Sequence, residues 1–130
     1  MIVGLGIDIV QTSRVRAVHE RFGEKFARRI LAPGELTRFG SAKSPVSFLA
    51  MRFAAKEATS KALGTGFRQG VSPRLIEVEH NRAGKPSLKF HGVVAELVAA
   101  QGVTASFVSL TDEVEYAAAV VVFEQGRGGE

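Results

Sequence analysis

Two side chains capable of chemistry lie close together in residues 46–66, which read VSFLAMRFAAKEATSKALGTG. Glu57 and Lys61 are four positions apart, so in an α-helix their carboxylate and ammonium groups point from the same face. In most proteins such a pair is a solvated surface ion pair worth a few tenths of a kcal/mol. The pair alone therefore favours an ordinary helix surface, and a catalytic interpretation needs another charged group beside it.

A further carboxylate interrupts the apolar N-terminal segment. Residues 1–10 (MIVGLGIDIV) alternate like a β-strand and place Gly4, Gly6 and Asp8 on one face. A carboxylate in such a strand is unfavourable unless a positive group or water meets it. The two glycines leave room beside Asp8 for a ligand or another backbone, and the alternative is an edge strand with a wet polar face.

A helix packed along this strand would bring Asp8 and Glu57 to one site. Two carboxylates describe a magnesium site that phosphate oxygens and water complete. Lys61 and the backbone amides of residues 64–66 would then contact phosphate. The spacing alone leaves this interpretation open.

The elements that must position these residues follow from hydrophobic periodicity. The long helix ends at Gly64, which is suited to a left-handed C-cap. A basic helix begins at Arg14 with Thr12 or Ser13 as its N-cap and continues to Ile30. Further strands and one short helix are predicted over 75–80, 85–90, 93–102, 103–112 and 114–124, with a turn at 83–84. We therefore expect an α+β fold, a mainly antiparallel sheet with the long helix packed across it, and we assign Tyr116 and the phenylalanines to the core.

Length and composition limit the class of protein. The chain has 130 residues, 45% of them apolar and 23% charged, which fits one globular domain over residues 1–125 with a frayed tail at 126–130. It has no cysteine, which excludes disulfides and thiolate chemistry. We find no apolar stretch long enough for a membrane span and no basic leader, so we expect a cytoplasmic protein.

Positive charge is concentrated in the first third of the chain. The net charge is +4, and residues 14–43 hold eight basic and three acidic side chains. Such a patch favours an acidic partner, whether nucleic acid, a phosphorylated cofactor or an acidic protein, although a solvated helix explains it equally well. A non-catalytic RNA-binding module is an alternative explanation of this patch. It would place aromatic residues among basic ones on exposed strands, whereas here the basic residues lie on predicted helices, and it leaves Asp8 unexplained.

The chain resembles the holo-acyl-carrier-protein synthase family of small phosphopantetheinyl transferases over nearly its whole length. The resemblance rests on matching segments in the same order and spacing, namely residues 6–8 (GID), 28–31 (RRIL) followed by Glu35, 52–58 (RFAAKEA), 60–66 (SKALGTG), 84–86 (GKP), 108–111 (VSLT) and 116–117 (YA). Thr59 stands where the family often has a bulky apolar residue. Asp112 stands where many members have histidine, so no role for that histidine carries over.

The resemblance implies transfer of the 4′-phosphopantetheine group from coenzyme A to a serine of apo acyl carrier protein, with release of adenosine 3′,5′-bisphosphate. The carrier protein would be that of fatty acid biosynthesis or of polyketide synthesis. Asp8 and Glu57 would hold Mg²⁺, Lys61 would stabilise phosphate, and Glu57 would deprotonate the serine, preferably through a water. Residues expected to contact coenzyme A are Arg52, Lys61, Gly64, Gly66, Lys85 and Pro86. Those expected to dock the acidic carrier protein are Arg14, Arg21, Lys25 and Arg28.

The resemblance also implies a homotrimer whose active sites lie between subunits, and no nucleic acid or membrane as partner. A magnesium-dependent hydrolase that cleaves a pyrophosphate bond is an alternative, because it would use the same Asp-Glu-Lys site with water as nucleophile.

Overall fold

The computed structural model describes residues 1–126, and it builds an α+β fold from five strands and five α-helices within that range. The strands are β1 (Ile2–Gln11), β2 (Ile76–His80), β3 (Pro86–Phe90), β4 (Ala105–Asp112) and β5 (Tyr116–Glu124). The helices are α1 (Thr12–Phe22), α2 (Glu24–Ile30), α3 (Pro33–Phe39), α4 (Pro45–Leu63) and α5 (Gly92–Ala100), with a 3₁₀ turn at Pro73–Leu75.

All strand pairs are antiparallel, which confirms the predicted sheet type, but the strands form two sheets rather than one. The larger sheet has the order β1-β5-β4, and the smaller one pairs β2 with β3. The β2–β3 turn lies where it was predicted, since Gly84 has a φ of 86° and its N–H donates to the carbonyl of Asn81. β1 is an edge strand that pairs only with β5 in the described residues, with Asp8 opposite Ala119.

The long helix α4 crosses the larger sheet, as predicted. Pro45 occupies its first turn, and Gly64 ends it in the left-handed conformation with a φ of 80°. Its buried alanines and leucines, Ala54, Ala58 and Ala62 among them, pack against Val121 and Phe123 of β5 in the main core. The helix that carries Glu57 and Lys61 is therefore fixed by burial of its apolar side.

The predicted basic helix differs from the structure at both its start and its middle. Neither Thr12 nor Ser13 caps it, because Thr12 already lies inside α1 and its N–H donates to the carbonyl of Glu115. Gly23 has a φ of 55° and divides the segment into α1 and α2. The apolar periodicity continues across this break, which explains why the sequence pattern indicated a single helix.

One face of the larger sheet is exposed, and the assignment of every aromatic residue to the core was wrong there. Phe123 is fully buried, but Tyr116 is 40% exposed, Phe22 49% and Phe107 52%. Tyr116 of β5 lies opposite Gln11 of β1, and Phe107 lies on β4 at the far side of β5, whereas Phe22 is at the end of α1. The alternation of β1 identifies two faces but does not say which of them α4 covers.

The predicted frayed tail is described only in part. Of the predicted tail, Gly126 is described and donates its N–H to Oγ1 of Thr104, whereas 127–130 fall outside the described residues. Within residues 1–126, no helix combines the length and the apolar character needed to cross a membrane.

Candidate active site at the contact between β1 and α4

The glycines of β1 let the backbone of α4 approach the strand directly. A Cβ atom on Gly4 would lie 2.7 Å from the carbonyl oxygen of Ala62, and one on Gly6 would overlap the carbonyl oxygen of Ala58. The sequence predicted room for a ligand or another backbone at these positions, and the structure places a backbone there. The close approach aligns the polar stripe of α4 with the next residue on the same face of β1, which is Asp8.

Asp8 and Lys61 form an ion pair across this contact. Nζ of Lys61 donates to Oδ1 of Asp8 at 2.8 Å and to the backbone carbonyl of Ile7 at 3.2 Å. The Asp8 side chain is 15% exposed and that of Lys61 52%, so the ammonium group reaches the carboxylate from the solvent side. The hydrogen bond to Asp8 raises the pKa of Lys61, which keeps it protonated.

Glu57 lies on the same stripe of α4 and is half-buried. Desolvation raises the pKa of Glu57, the neighbouring Asp8 carboxylate raises it further, and Lys61 partly opposes both. The two carboxylates repel each other and are partly shielded from water. A bound cation would therefore stabilise their charged forms.

The two carboxylates open into a cleft of about 360 Å³ between β1, α1 and α4. Arg14 brings a positive charge to this cleft, and Phe53 lies one turn before Glu57. The remaining wall is apolar except for Gln11, with Ile9, Val10, Val15, Val18 and Phe26 along it. The cleft therefore combines two carboxylates and the positive charge of Arg14 with a mostly apolar wall, and ligand pockets are commonly built from such a wall and a few polar groups.

The donor set fits a hard divalent cation that is not held by protein alone. Asp8 and Glu57 supply oxygen ligands only, and residues 1–126 contain no cluster of three or more histidine, cysteine or acidic side chains that would form a closed metal site. Mg²⁺ is commonly bound in this way, by one or two carboxylates together with substrate phosphates and water. Asp8 and Glu57 are therefore suited to hold it while a phosphorylated ligand completes its coordination.

Arg52, which the resemblance assigned to coenzyme A binding, does not line the cleft that holds Asp8 and Glu57. Its guanidinium group is buried, packs over the ring of Phe48 at 3.4 Å from the centroid, and lies 3.7 Å from Oε2 of Glu35. Burial lowers the pKa of Arg52 to about 10, and Glu35 opposes this effect. Contact of Arg52 with coenzyme A stays a prediction, and in this chain the guanidinium faces Glu35 and Phe48.

A buried ion pair behind α4 is a feature that sequence reasoning missed. Glu35 and Lys56 are both fully buried, and their Oε1 and Nζ atoms are 2.6 Å apart. Lys56 also donates to the carbonyls of Pro73 and Ile76, while Glu35 accepts from the N–H of Val78. The matching of Glu35 to the family motif was the available signal, but nothing in the spacing of residues 35 and 56 indicated that they meet.

The turn after α4 does not offer its amides in the predicted way. The N–H groups of Thr65 and Gly66 donate to the carbonyl of Ser60, and that of Gly64 donates to the carbonyl of Lys61. They close the helix and are therefore not free to hold a phosphate in this conformation. Any contact of Gly64 or Gly66 with a ligand would use their lack of a Cβ rather than free N–H groups.

The other predicted ligand contacts lie apart from the cleft. Lys85 is exposed in the β2–β3 turn, and Pro86 begins β3 opposite His80. Neither lines the cleft that holds Asp8 and Glu57. Of the predicted docking residues, Arg14 lines that cleft, and Arg21, Lys25 and Arg28 are exposed on α1 and α2, with Arg28 paired to Glu24 at 3.4 Å.

Comparison with known proteins agrees with this geometry. The sequence model of the 4′-phosphopantetheinyl transferase superfamily matches residues 4–121. The chain is 54% identical over 126 residues to a holo-[acyl-carrier-protein] synthase of Halorhodospira halophila, covering 97% of this chain and 100% of that protein.

Solved structures show the same similarity. The holo-[acyl-carrier-protein] synthase of Neisseria meningitidis superposes with a TM-score of 0.91 at 43% identity, covering 96% of this chain and 100% of that one. The Bacillus anthracis protein of the same name, in complex with CoA (3′,5′-ADP), gives a TM-score of 0.82 at 37% identity, covering 97% and 99%. The chain therefore belongs to the 4′-phosphopantetheinyl transferase superfamily.

Proposed function

We propose that this enzyme is a holo-acyl-carrier-protein synthase, which transfers the 4′-phosphopantetheine group of coenzyme A to a serine of apo acyl carrier protein. The observation that carries this proposal is the assembly of Asp8, Glu57 and Lys61 on facing sides of the β1–α4 contact, at the mouth of a cleft that Arg14 also lines. Membership of the superfamily and the similarity to synthases of this name support the same reaction.

The reaction breaks the pyrophosphate of coenzyme A. The serine Oγ attacks the phosphorus that carries pantetheine, a new P–O bond forms, and the bond from that phosphorus to the bridging oxygen breaks. The electron pair leaves with adenosine 3′,5′-bisphosphate, and the serine proton passes to a base. Mg²⁺ held by Asp8 and Glu57 would supply neutralisation of the pyrophosphate charge.

Two side chains of this site have roles that follow from their charge. Lys61 is held protonated and half-exposed at the cleft, so its ammonium group is suited to bind an oxygen of the transferred or departing phosphate. The raised pKa of Glu57 makes its carboxylate a better proton acceptor than an exposed glutamate. Because Glu57 also serves as a metal ligand, we assign proton removal to Glu57 acting through a water.

The carrier protein would approach over α1 and α2. Arg14, Arg21, Lys25 and Arg28 lie on these two consecutive helices, and Arg14 connects the basic surface to the cleft. A positive surface beside the site would attract an acidic carrier protein and orient its serine toward Glu57. The acceptor we propose is the carrier protein of fatty acid biosynthesis in the cytoplasm.

A homotrimer would complete the active site. Four apolar side chains of β1 are exposed in the single chain, namely Ile2 at 64%, Leu5 at 64%, Ile7 at 68% and Ile9 at 65%. Phe107 of β4 is 52% exposed and pairs with Val122 of β5, which pairs on its other side with Leu5. Exposed apolar side chains that lie together commonly mark an interface with another protein. We propose that neighbouring copies cover this surface and that Lys85 and Pro86 of one copy contribute to the site that Asp8 and Glu57 form in another.

The test of the proposed reaction is a mass measurement on the acceptor. An apo acyl carrier protein is incubated with the enzyme, coenzyme A and Mg²⁺. A second sample also contains EDTA, and a third contains the enzyme, coenzyme A and Mg²⁺ without the carrier protein. The proposal predicts one added phosphopantetheine, which EDTA prevents. Release of adenosine 3′,5′-bisphosphate from coenzyme A without carrier protein would instead identify a hydrolase.

A further inference from the structure

In the described residues, the ammonium group of Lys61 is the cation paired with the Asp8 carboxylate. It is bonded to two oxygens of the same strand, Oδ1 of Asp8 at 2.8 Å and the backbone carbonyl of Ile7 at 3.2 Å. A metal ion that used Asp8 as a ligand would need the charge of this carboxylate, on which Lys61 already draws. One carboxylate therefore faces two competing cations.

The surroundings allow Lys61 to leave. Its side chain is 52% exposed, whereas that of Asp8 is 15% exposed, so the ammonium group can rotate into solvent without opening the core. Asp8 cannot follow it, because the backbone of β1 is held in register against β5, with Asp8 opposite Ala119. The pair is therefore a fixed carboxylate with a removable cation.

We propose that Lys61 is a placeholder: in the free enzyme it occupies the cation position on Asp8, and it moves to the phosphate oxygens of coenzyme A when a divalent cation binds. This inference rests on the proposed function, since it requires a cation at Asp8 and Glu57. The ion pair keeps Asp8 neutralised before the divalent cation arrives. Its displacement by that cation then delivers a phosphate-binding ammonium group to the cleft.

The placeholder couples two binding events. A cation that frees Lys61 from Asp8 strengthens binding of the diphosphate, and coenzyme A that attracts Lys61 strengthens binding of the cation by the same factor. A half-exposed ion pair is worth about 0.2–1 kcal/mol, which corresponds to a change in affinity of up to about fivefold. Direct attraction between the cation and the diphosphate adds to this coupling but does not depend on Lys61.

The first experiment measures Mn²⁺ binding to the full-length protein without coenzyme A by titration calorimetry. Lys61→Met removes the competing cation, so we expect Mn²⁺ to bind about two- to fivefold more tightly than to the unmodified protein. Arg14→Met is the matched control. Arg14 also brings a positive charge to the cleft, but the side chain that pairs with Asp8 in the described residues is Lys61, so Arg14→Met should raise the Mn²⁺ affinity less than Lys61→Met. Lys61→Gln tests whether the result depends on the methionine.

The second experiment measures binding of coenzyme A with and without Mn²⁺. In the unmodified protein, Mn²⁺ should strengthen coenzyme A binding by a larger factor than in Lys61→Met. The ratio of these two factors should equal the fold-increase in Mn²⁺ affinity that Lys61→Met shows in the first experiment. Equal Mn²⁺ affinity for the unmodified protein and both Lys61 variants, or an equal gain in Arg14→Met, would overturn the placeholder while leaving the metal site intact. Absence of Mn²⁺ binding to all of these proteins, both alone and with coenzyme A present, would overturn the metal site and the placeholder together.

Discussion

The backbone of Gly6 in β1 rests against the carbonyl oxygen of Ala58 in α4, so closely that a single methyl group at residue 6 would overlap it. Because that oxygen belongs to a helix backbone, it cannot move without α4. Gly6→Ala should therefore displace α4 from β1 and separate Glu57 from Asp8. We expect a loss of about 2 kcal/mol or more in the free energy of unfolding, and loss of transfer activity.

The control for this prediction is Gly40→Ala. Gly40 has a helical φ of −59°, and a Cβ there would meet its nearest neighbour, the carbonyl of Thr37, at 3.7 Å. Alanine at residue 40 should leave stability unchanged or slightly raised, as measured by urea unfolding. Equal behaviour of the two variants would contradict the contact between Gly6 and Ala58.

The buried pair of Glu35 and Lys56 predicts a strong asymmetry between single and double substitutions. Lys56→Met leaves the Glu35 carboxylate buried with only the more distant Arg52 for charge compensation, so we expect a loss of about 3 kcal/mol in stability. Glu35→Leu alone leaves both Lys56 and Arg52 buried without their carboxylate, and adding Lys56→Met to it should recover part of its loss, because one buried cation fewer is then left without a partner. Urea unfolding checks these values, and a double variant no more stable than Glu35→Leu alone would contradict the prediction.

Glu57 predicts a dependence of stability on pH in the metal-free protein. Its raised pKa means that the folded state binds the proton more tightly than the unfolded state, so ionisation of Glu57 costs stability. That cost is absent well below the ordinary value of 4.5 and complete above the raised value. Glu57→Gln should therefore melt at a higher temperature than the unmodified protein near pH 8, and the gap should narrow as the pH falls through the raised pKa and close below about 4.5.

The melting experiment uses EDTA throughout and Glu96→Gln as its control, because Glu96 is exposed on α5. The control should show no gap at either pH. A gap for Glu57→Gln that widens in acid would mean that the environment of Glu57 favours its charged form.

The exposed face of β1 predicts self-association. Ile7 is 68% exposed in the single chain, and an isoleucine covered by another copy would not tolerate a charge. The unmodified protein should sediment as a trimer, and Ile7→Lys should shift it to monomers with reduced transfer activity. Lys43→Ala, a change at an exposed residue before α4, is the control. Sedimentation of the unmodified protein as a monomer would contradict the trimer.

The sequence predicted the fold where local chemistry decides it. Gly64 as the end of α4, the turn at Gly84 and the glycine face of β1 each follow from backbone requirements of single residues. Two periodicities, a period of two in the strand and of 3.6 in the helix, indicated which residues share a face with Asp8 and with Glu57, but they left open whether α4 packs on that face of β1. These are the parts of the candidate site that sequence alone supplies.

Other features depend on contacts that a sequence pattern does not contain. Periodicity did not reveal that Gly23 divides the basic helix, that Lys56 turns inward to Glu35, or that Tyr116 stands on an exposed face. The amides of residues 64–66 looked available for phosphate because the pattern does not show that they close α4. In each case tertiary contacts, rather than local propensity, determine the outcome.

The most direct test of the account is the rate of phosphopantetheine transfer to apo acyl carrier protein by Asp8→Asn, followed by intact mass and compared with Glu96→Gln. Asparagine keeps the shape of residue 8 but removes the charge that would hold Mg²⁺, so we expect the rate to fall at least about 100-fold while circular dichroism stays unchanged. Glu96→Gln should transfer at the normal rate. A folded Asp8→Asn enzyme within about threefold of the normal rate would contradict the assignment of Asp8 to the catalytic site.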